Sequence, residues 1–81
     1  MTIDLMQSKK KLKYPQIRVW CHPHYIGKSG DDYFYTFKDL KLARQFIRKH
    51  KEAEKEPLIA YNGEELFESE FRQLYPKVKI G

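Results

Sequence analysis

Three features of the sequence predict an α+β fold: a small, mostly antiparallel sheet with one main amphipathic helix packed on it and a second, C-terminal helix. Tyr33-Phe-Tyr-Thr-Phe37 is an aromatic, strand-like run. From Asp39 onward the apolar residues recur every three or four positions instead of every two, so strand and helix must pack as one unit. Upstream, Ile17-Arg-Val-Trp-Cys-His22 alternates as a half-buried strand does.

Taken in chain order, residues 1–14 read as a basic, flexible arm containing the cluster Lys9-Lys-Lys-Leu-Lys13, and residues 15–81 as a single α+β domain. In the first strand Ile17, Val19 and Cys21 form the better core face, which turns Arg18, Trp20 and His22 to the other side. Pro23 ends the strand because it has no N–H to give a ladder and restricts the residue before it. His24 to Asp31 is then a connection with Gly27 and Gly30 supplying permissive backbone. In the second strand Phe37 directly precedes the helix, so it is expected at the buried corner with Tyr33 and Tyr35 on its face. Phe34 and Thr36 then look outward.

Asp39 is a good N-cap. The helix after it is expected over about 39–54, with an apolar stripe of Leu42, Ala43, Phe46, Ile47, His50 and Ala53. Its opposite face carries Lys41, Arg44, Arg48 and Lys51 in one line. Leu58-Ile-Ala-Tyr61 is a short strand. Asn62-Gly63 after it is a strong hairpin signal, but Asn62-Gly-Glu-Glu65 also matches a capping box. Phe67, Phe71 and Leu74 at helical spacing favour the second reading and place a helix over about 64–75, ended by Pro76. Lys77-Val-Lys-Ile80 has the pattern of a short edge strand.

Eighty-one residues with a single cysteine make one domain without an internal disulfide, and a reducing, cytoplasmic compartment is the natural expectation. No apolar run suits a signal sequence or a membrane span. The net charge of +5 is unevenly spread: residues 1–51 hold twelve Lys/Arg against four Asp/Glu, and residues 52–81 hold four against seven. A basic half of this kind points to an anionic partner. The same segregation permits weak head-to-tail self-association, so the chain is expected as a monomer or a weak dimer.

Cys21-His-Pro-His24 holds zinc-type ligands, but a tetrahedral structural site normally needs two spaced pairs, and the remaining histidine, His50, falls in the helix stripe. Neighbours on a strand face opposite sides, so Cys21 and His22 do not ligate together, and Cys21 reads as a small core residue. A catalytic thiol would need exposure and an orienting partner, and Asp31-Asp32 is most simply turn chemistry. Gly27-Lys-Ser-Gly30 lacks the phosphate-loop order and precedes a strand. The expectation is therefore a non-enzymatic domain with no metal and no cofactor.

The richest surface is the aromatic and basic sheet face of Arg18, Trp20, His22 and Phe34, with Lys28 at its rim. Exposed aromatics on a sheet stack bases while nearby cations hold phosphates. Gly30 to Phe37 with the helix after it resembles the third strand and following helix of RNA-recognition motifs. It is also similar to the strand–helix step of sheet-type DNA-binding domains of the AP2/integrase kind. The likeness stops there: Asp31 and Asp32 stand where the RNA motif has small and basic residues, and the chain has no room for that family's first helix.

The leading functional expectation is nucleic-acid binding through that sheet face and through the helix cations Lys41, Arg44, Arg48 and Lys51. The alternative is a protein-binding adaptor that uses the acidic C-terminal helix, with Glu64 and Glu65 as its charges and Phe67 and Phe71 as anchors.

Overall fold

The computed structural model describes residues 15–80; the basic cluster Lys9–Lys13 lies outside the described residues. Four strands and two α-helices follow in the order β1 (Gln16–Cys21), a 3-10 turn (Pro23–Ile26), β2 (Tyr33–Phe37), α1 (Leu40–Lys49), β3 (Leu58–Tyr61), β4 (Glu64–Phe67) and α2 (Glu68–Leu74). The sheet runs β2-β1-β3-β4, and every neighbouring pair is antiparallel. This is the α+β architecture of the sequence reading, with both helices present.

Alternation along β1 sorts the sheet into two faces. Ile17, Val19 and Cys21 are buried while Gln16, Arg18 and Trp20 are half-buried. Ile17 is opposite Phe37 on β2 and Ile59 on β3, and partners directly across a ladder share a face. One core cluster joins Ile17, Val19, Cys21 and Ile59 to Leu40 and Ala43 of α1 and Phe71 of α2. Both helices therefore cover the same face. The other face carries Gln16, Arg18, Trp20, Phe34, Thr36, Leu58, Ala60, Glu65 and Phe67, as the register dictates.

Several boundaries depart from the sequence expectation. The main helix spans Leu40–Lys49 and stops there. His50 takes an extended backbone as its C-cap, and its Nδ1–H donates to the Phe46 carbonyl at 2.9 Å. Ala53 then lies against β1 in an isolated bridge to Cys21 and is buried there. Leu42 is exposed and Leu40 takes its place in the apolar stripe. The cap itself is as expected, with the Asp39 carboxylate accepting from the Leu42 amide at 2.9 Å.

The second correction is larger. Residues 64–67 are a strand, and the C-terminal helix begins only at Glu68. Asn62 and Gly63 both have positive φ, 53° and 79°, the backbone of a two-residue type I′ hairpin loop. The hairpin prevails because β3 gains a partner strand and Leu66 packs against the core. At the start of α2 two carboxylates serve the free amides: the Ser69 N–H donates to Glu56 at 2.8 Å and the Phe67 N–H to Glu70 of the helix itself at 3.3 Å. Residues 77–80 form no strand, though Val78 and Ile80 pack against the core.

Candidate functional site

Two side-chain clusters and one charged surface are the places where this fold offers chemistry. The first cluster lies on the open sheet face. Glu65 on β4 reaches across β3 to β1, where one carboxylate oxygen accepts from Trp20 Nε1–H at 3.0 Å and the other from the Arg18 guanidinium at 2.8 Å. Arg18 also donates to Gln16 Oε1 at 2.9 Å and sits 4.6 Å from the centroid of the Phe34 ring. Phe34 in turn packs on Trp20 with centroids 4.8 Å apart.

Trp20 is half-buried and Phe34 is 39% exposed. The sheet face is thus open, since α2 lies on the other side, but its cation is already matched. Arg18 is neutralised by Glu65 and covers Phe34, so the cluster presents an electrically balanced surface rather than a basic stacking platform. Lys28, the expected rim cation, is exposed in the loop after the 3-10 turn and pairs with no carboxylate among the described residues.

The second cluster stands where β1 ends. His22 does not continue the aromatic sheet face: its Nδ1 lies 3.0 Å from Asp32 and its Nε2 lies 3.0 Å from Glu54. Burial alone would lower the His22 pKa, but hydrogen bonds and charge from Asp32 and Glu54 together outweigh it and raise the value above the ordinary 6.5. The Glu54 carboxylate also accepts from the Tyr25 hydroxyl at 3.4 Å. Rings of His24 and Tyr25 pack beside His22, at 5.6 and 4.6 Å between centroids. Neighbouring Cys21 is fully buried, and burial pushes its thiol pKa up. The charge of Glu52 adds to that shift, while a hydrogen bond with Tyr33 opposes it. Such a thiol is a core residue and not a nucleophile.

The charged surface is α1. Lys41, Arg44 and Arg48 are exposed along it, while Lys51 is exposed just beyond its end, so three of the four expected cations stand on the helix and the fourth stands off it. Lys38 and Lys49 add to it. Arg44 differs from the rest because it pairs with Glu68 of α2, a carboxylate it shares with Arg72, whose Nε lies at 3.0 Å.

Of the residues expected to anchor a protein partner, Phe71 is fully buried and packs on Tyr61 and Tyr75; it is core and cannot be an anchor. Glu64 and Glu65 lie on β4 rather than on a helix, Glu64 accepting from the Tyr75 hydroxyl at 3.3 Å. Phe67 keeps 37% exposure on the open sheet face. The sequence names His22 and offers His24, but it does not reveal Asp32 and Glu54 as the partners of His22. Asp32 had a local signal in its place at the loop end. Glu54 had none, because it arrives through the Cys21–Ala53 bridge.

No known protein family, no curated protein and no solved structure matches this chain. No helix among the described residues is long and apolar enough to cross a membrane.

Proposed function

We propose that this protein is a small non-enzymatic domain that binds nucleic acid through the cations of α1 and its flanks, not by stacking bases on Trp20. The observation that carries the reading is how unequally the two signs of charge are used. Lys38, Lys41, Arg48, Lys49 and Lys51 are exposed and have no carboxylate within ion-pairing distance among the described residues. Most of the acids among the described residues are spent on the protein itself, Asp31 and Glu52 excepted. Asp39 caps α1, Glu56 and Glu70 cap α2, and Asp32, Glu54, Glu64, Glu65 and Glu68 each meet a side-chain donor. What remains for an external partner on α1 and its flanks is positive charge, and a phosphate backbone is the partner that neutralises such a surface with release of its counterions.

The sheet face supports this division of labour. Arg18 and Glu65 cancel one another next to Trp20, so an approaching phosphate gains nothing there. The mechanism is phosphate neutralisation by Lys41, Arg48, Lys49 and Lys51, with Arg44 available only in competition with Glu68. It carries little base specificity, because phosphate contacts set position and not sequence.

The test is an amide chemical-shift titration with short single- and double-stranded DNA and RNA. Shifts centred on residues 38–51 are expected, weakening about a hundredfold between about 50 and about 200 mM salt if four phosphates are contacted. Arg48→Gln lowers the salt slope by about one contact, while Trp20→Phe leaves affinity unchanged. Absence of shifts with every nucleic acid at low salt overturns the proposal and turns the search to a protein partner.

A further inference from the structure

We propose that the end of the molecule where β1 meets β2 binds one divalent cation of the zinc class, held by His22, His24 and Asp32. Suitable donor atoms of these three residues all lie within 4.8 Å of one another. His22 Nδ1 and Asp32 Oδ2 are 3.0 Å apart, close to the edge of a tetrahedron with bonds of about 2.0–2.1 Å, which is about 3.3 Å. His24 is exposed, and its ring lies beside that of His22 with centroids 5.6 Å apart. Two imidazoles and a carboxylate are the donor types that suit zinc, and three protein ligands leave a fourth position for water.

The cluster is built from several parts of the chain, and backbone hydrogen bonds pin those that carry His22, His24 and Glu54. His22 has an extended backbone at the end of β1, and its N–H donates to the Glu52 carbonyl at 2.8 Å. Pro23 starts the 3-10 turn that carries His24, and Gly27 closes that turn in a left-handed conformation at φ 73°. The loop then returns to Asp32 immediately before β2. Glu54 is fixed by its own N–H, which donates to the Trp20 carbonyl at 2.7 Å.

The role of Glu54 is what separates this arrangement from a chance group of polar residues. It lies 3.0 Å from His22 Nε2, the nitrogen opposite the one aimed at Asp32. A carboxylate accepting from the far N–H of a ligating histidine fixes tautomer and ring orientation and makes the near nitrogen a better donor. The Tyr25 hydroxyl donates to the other oxygen of Glu54 and steadies it. Asp32 and Glu54 together also supply two negative charges, which a divalent cation on Nδ1 would balance. Glu54 is thus a positioning residue and not a ligand.

The experiment is calorimetric titration of the full chain with zinc chloride in a non-coordinating buffer, with cobalt(II) absorption as a second readout of coordination. One equivalent is expected to bind in the micromolar range, with no competition from excess magnesium, which prefers all-oxygen sites. His24→Ala and Asp32→Asn change exposed side chains and leave the fold intact by circular dichroism; each weakens binding about tenfold or more, and Glu54→Gln does so by about tenfold through His22. His50→Gln, a histidine outside the cluster that stacks on Phe46, has no effect. Absence of micromolar zinc binding, or binding that survives His24→Ala and Asp32→Asn unchanged, overturns the proposal.

Discussion

On the face of the sheet beneath the helices, Ile17, Val19 and Ile59 are sealed by Leu40, Ala43 and Phe71. On the opposite face Trp20 and Phe34 are half-covered, and their lid is an arginine and a glutamate. The first face uses apolar area, which stabilises in proportion to the surface removed from water. The second uses a set of hydrogen bonds in which Glu65 accepts from both Arg18 and Trp20. No buried side-chain nitrogen or oxygen among the described residues lacks a partner. One side of the sheet thus carries the fold, and the other is finished without a third layer.

If that division is right, the covered face holds the largest single-residue effects. Phe71 is fully buried against Tyr61 and Tyr75, and Phe71→Ala should cost about 3–5 kcal/mol in equilibrium denaturation. A cost below about 1 kcal/mol would mean that α2 is not part of the core and would break the comparison at its base. The Cys21 thiol tests the same face without mutation. Burial raises its pKa and closes it to reagent, so alkylation should proceed at the rate of unfolding, orders of magnitude slower than in denaturant. Rapid native-state labelling would show that the β1 end of the core opens locally.

A smaller effect belongs to the hairpin that brings β4 into place. Gly63 has φ 79° with open space around the position a side chain would take, so Gly63→Ala suffers from backbone conformation alone, about 1 kcal/mol. A null result by thermal melting would show that the loop relaxes to another turn at no cost. Such a loop would hold Glu65 less firmly over Trp20.

How much of this was legible depends on whether the deciding contact is local. The parity of Ile17, Val19 and Cys21, the corner at Phe37 and the Asp39 cap are all written in neighbouring residues, and the structure keeps them. Asn62-Gly-Glu-Glu65 supports a hairpin and a capped helix equally well at short range. The choice is made by β3 pairing and by Glu65 reaching Arg18 and Trp20, 47 and 45 positions away. Phe67, Phe71 and Leu74 looked like one helical stripe, but only Phe71 is buried. Ala53 likewise reads as helix by spacing and is taken out of it by its bridge to Cys21. At the β1 end the His22-Pro-His24 spacing was visible, while Glu54 joins His22 from 32 positions away and left no pattern.

The finest test of the two-face comparison is a pair of changes at Glu65. Glu65→Gln keeps an acceptor for the Trp20 indole and removes only the charge opposite Arg18. Both side chains of that ion pair retain about a quarter of their exposure, 26% and 28%, so the lost pairing should cost less than about 1 kcal/mol. Glu65→Ala also strands the Trp20 N–H and should cost more than the glutamine variant, by about 1 kcal/mol. Trp20 emission should shift to the red with Ala and stay in place with Gln, because only the first removes the lid from the ring. Should Glu65→Ala approach the cost of Phe71→Ala, the open face would be a second core in its own right. Should both Glu65 variants prove neutral with unchanged emission, the lid would be ornamental. The half-burial of Trp20 would then rest on Phe34 alone.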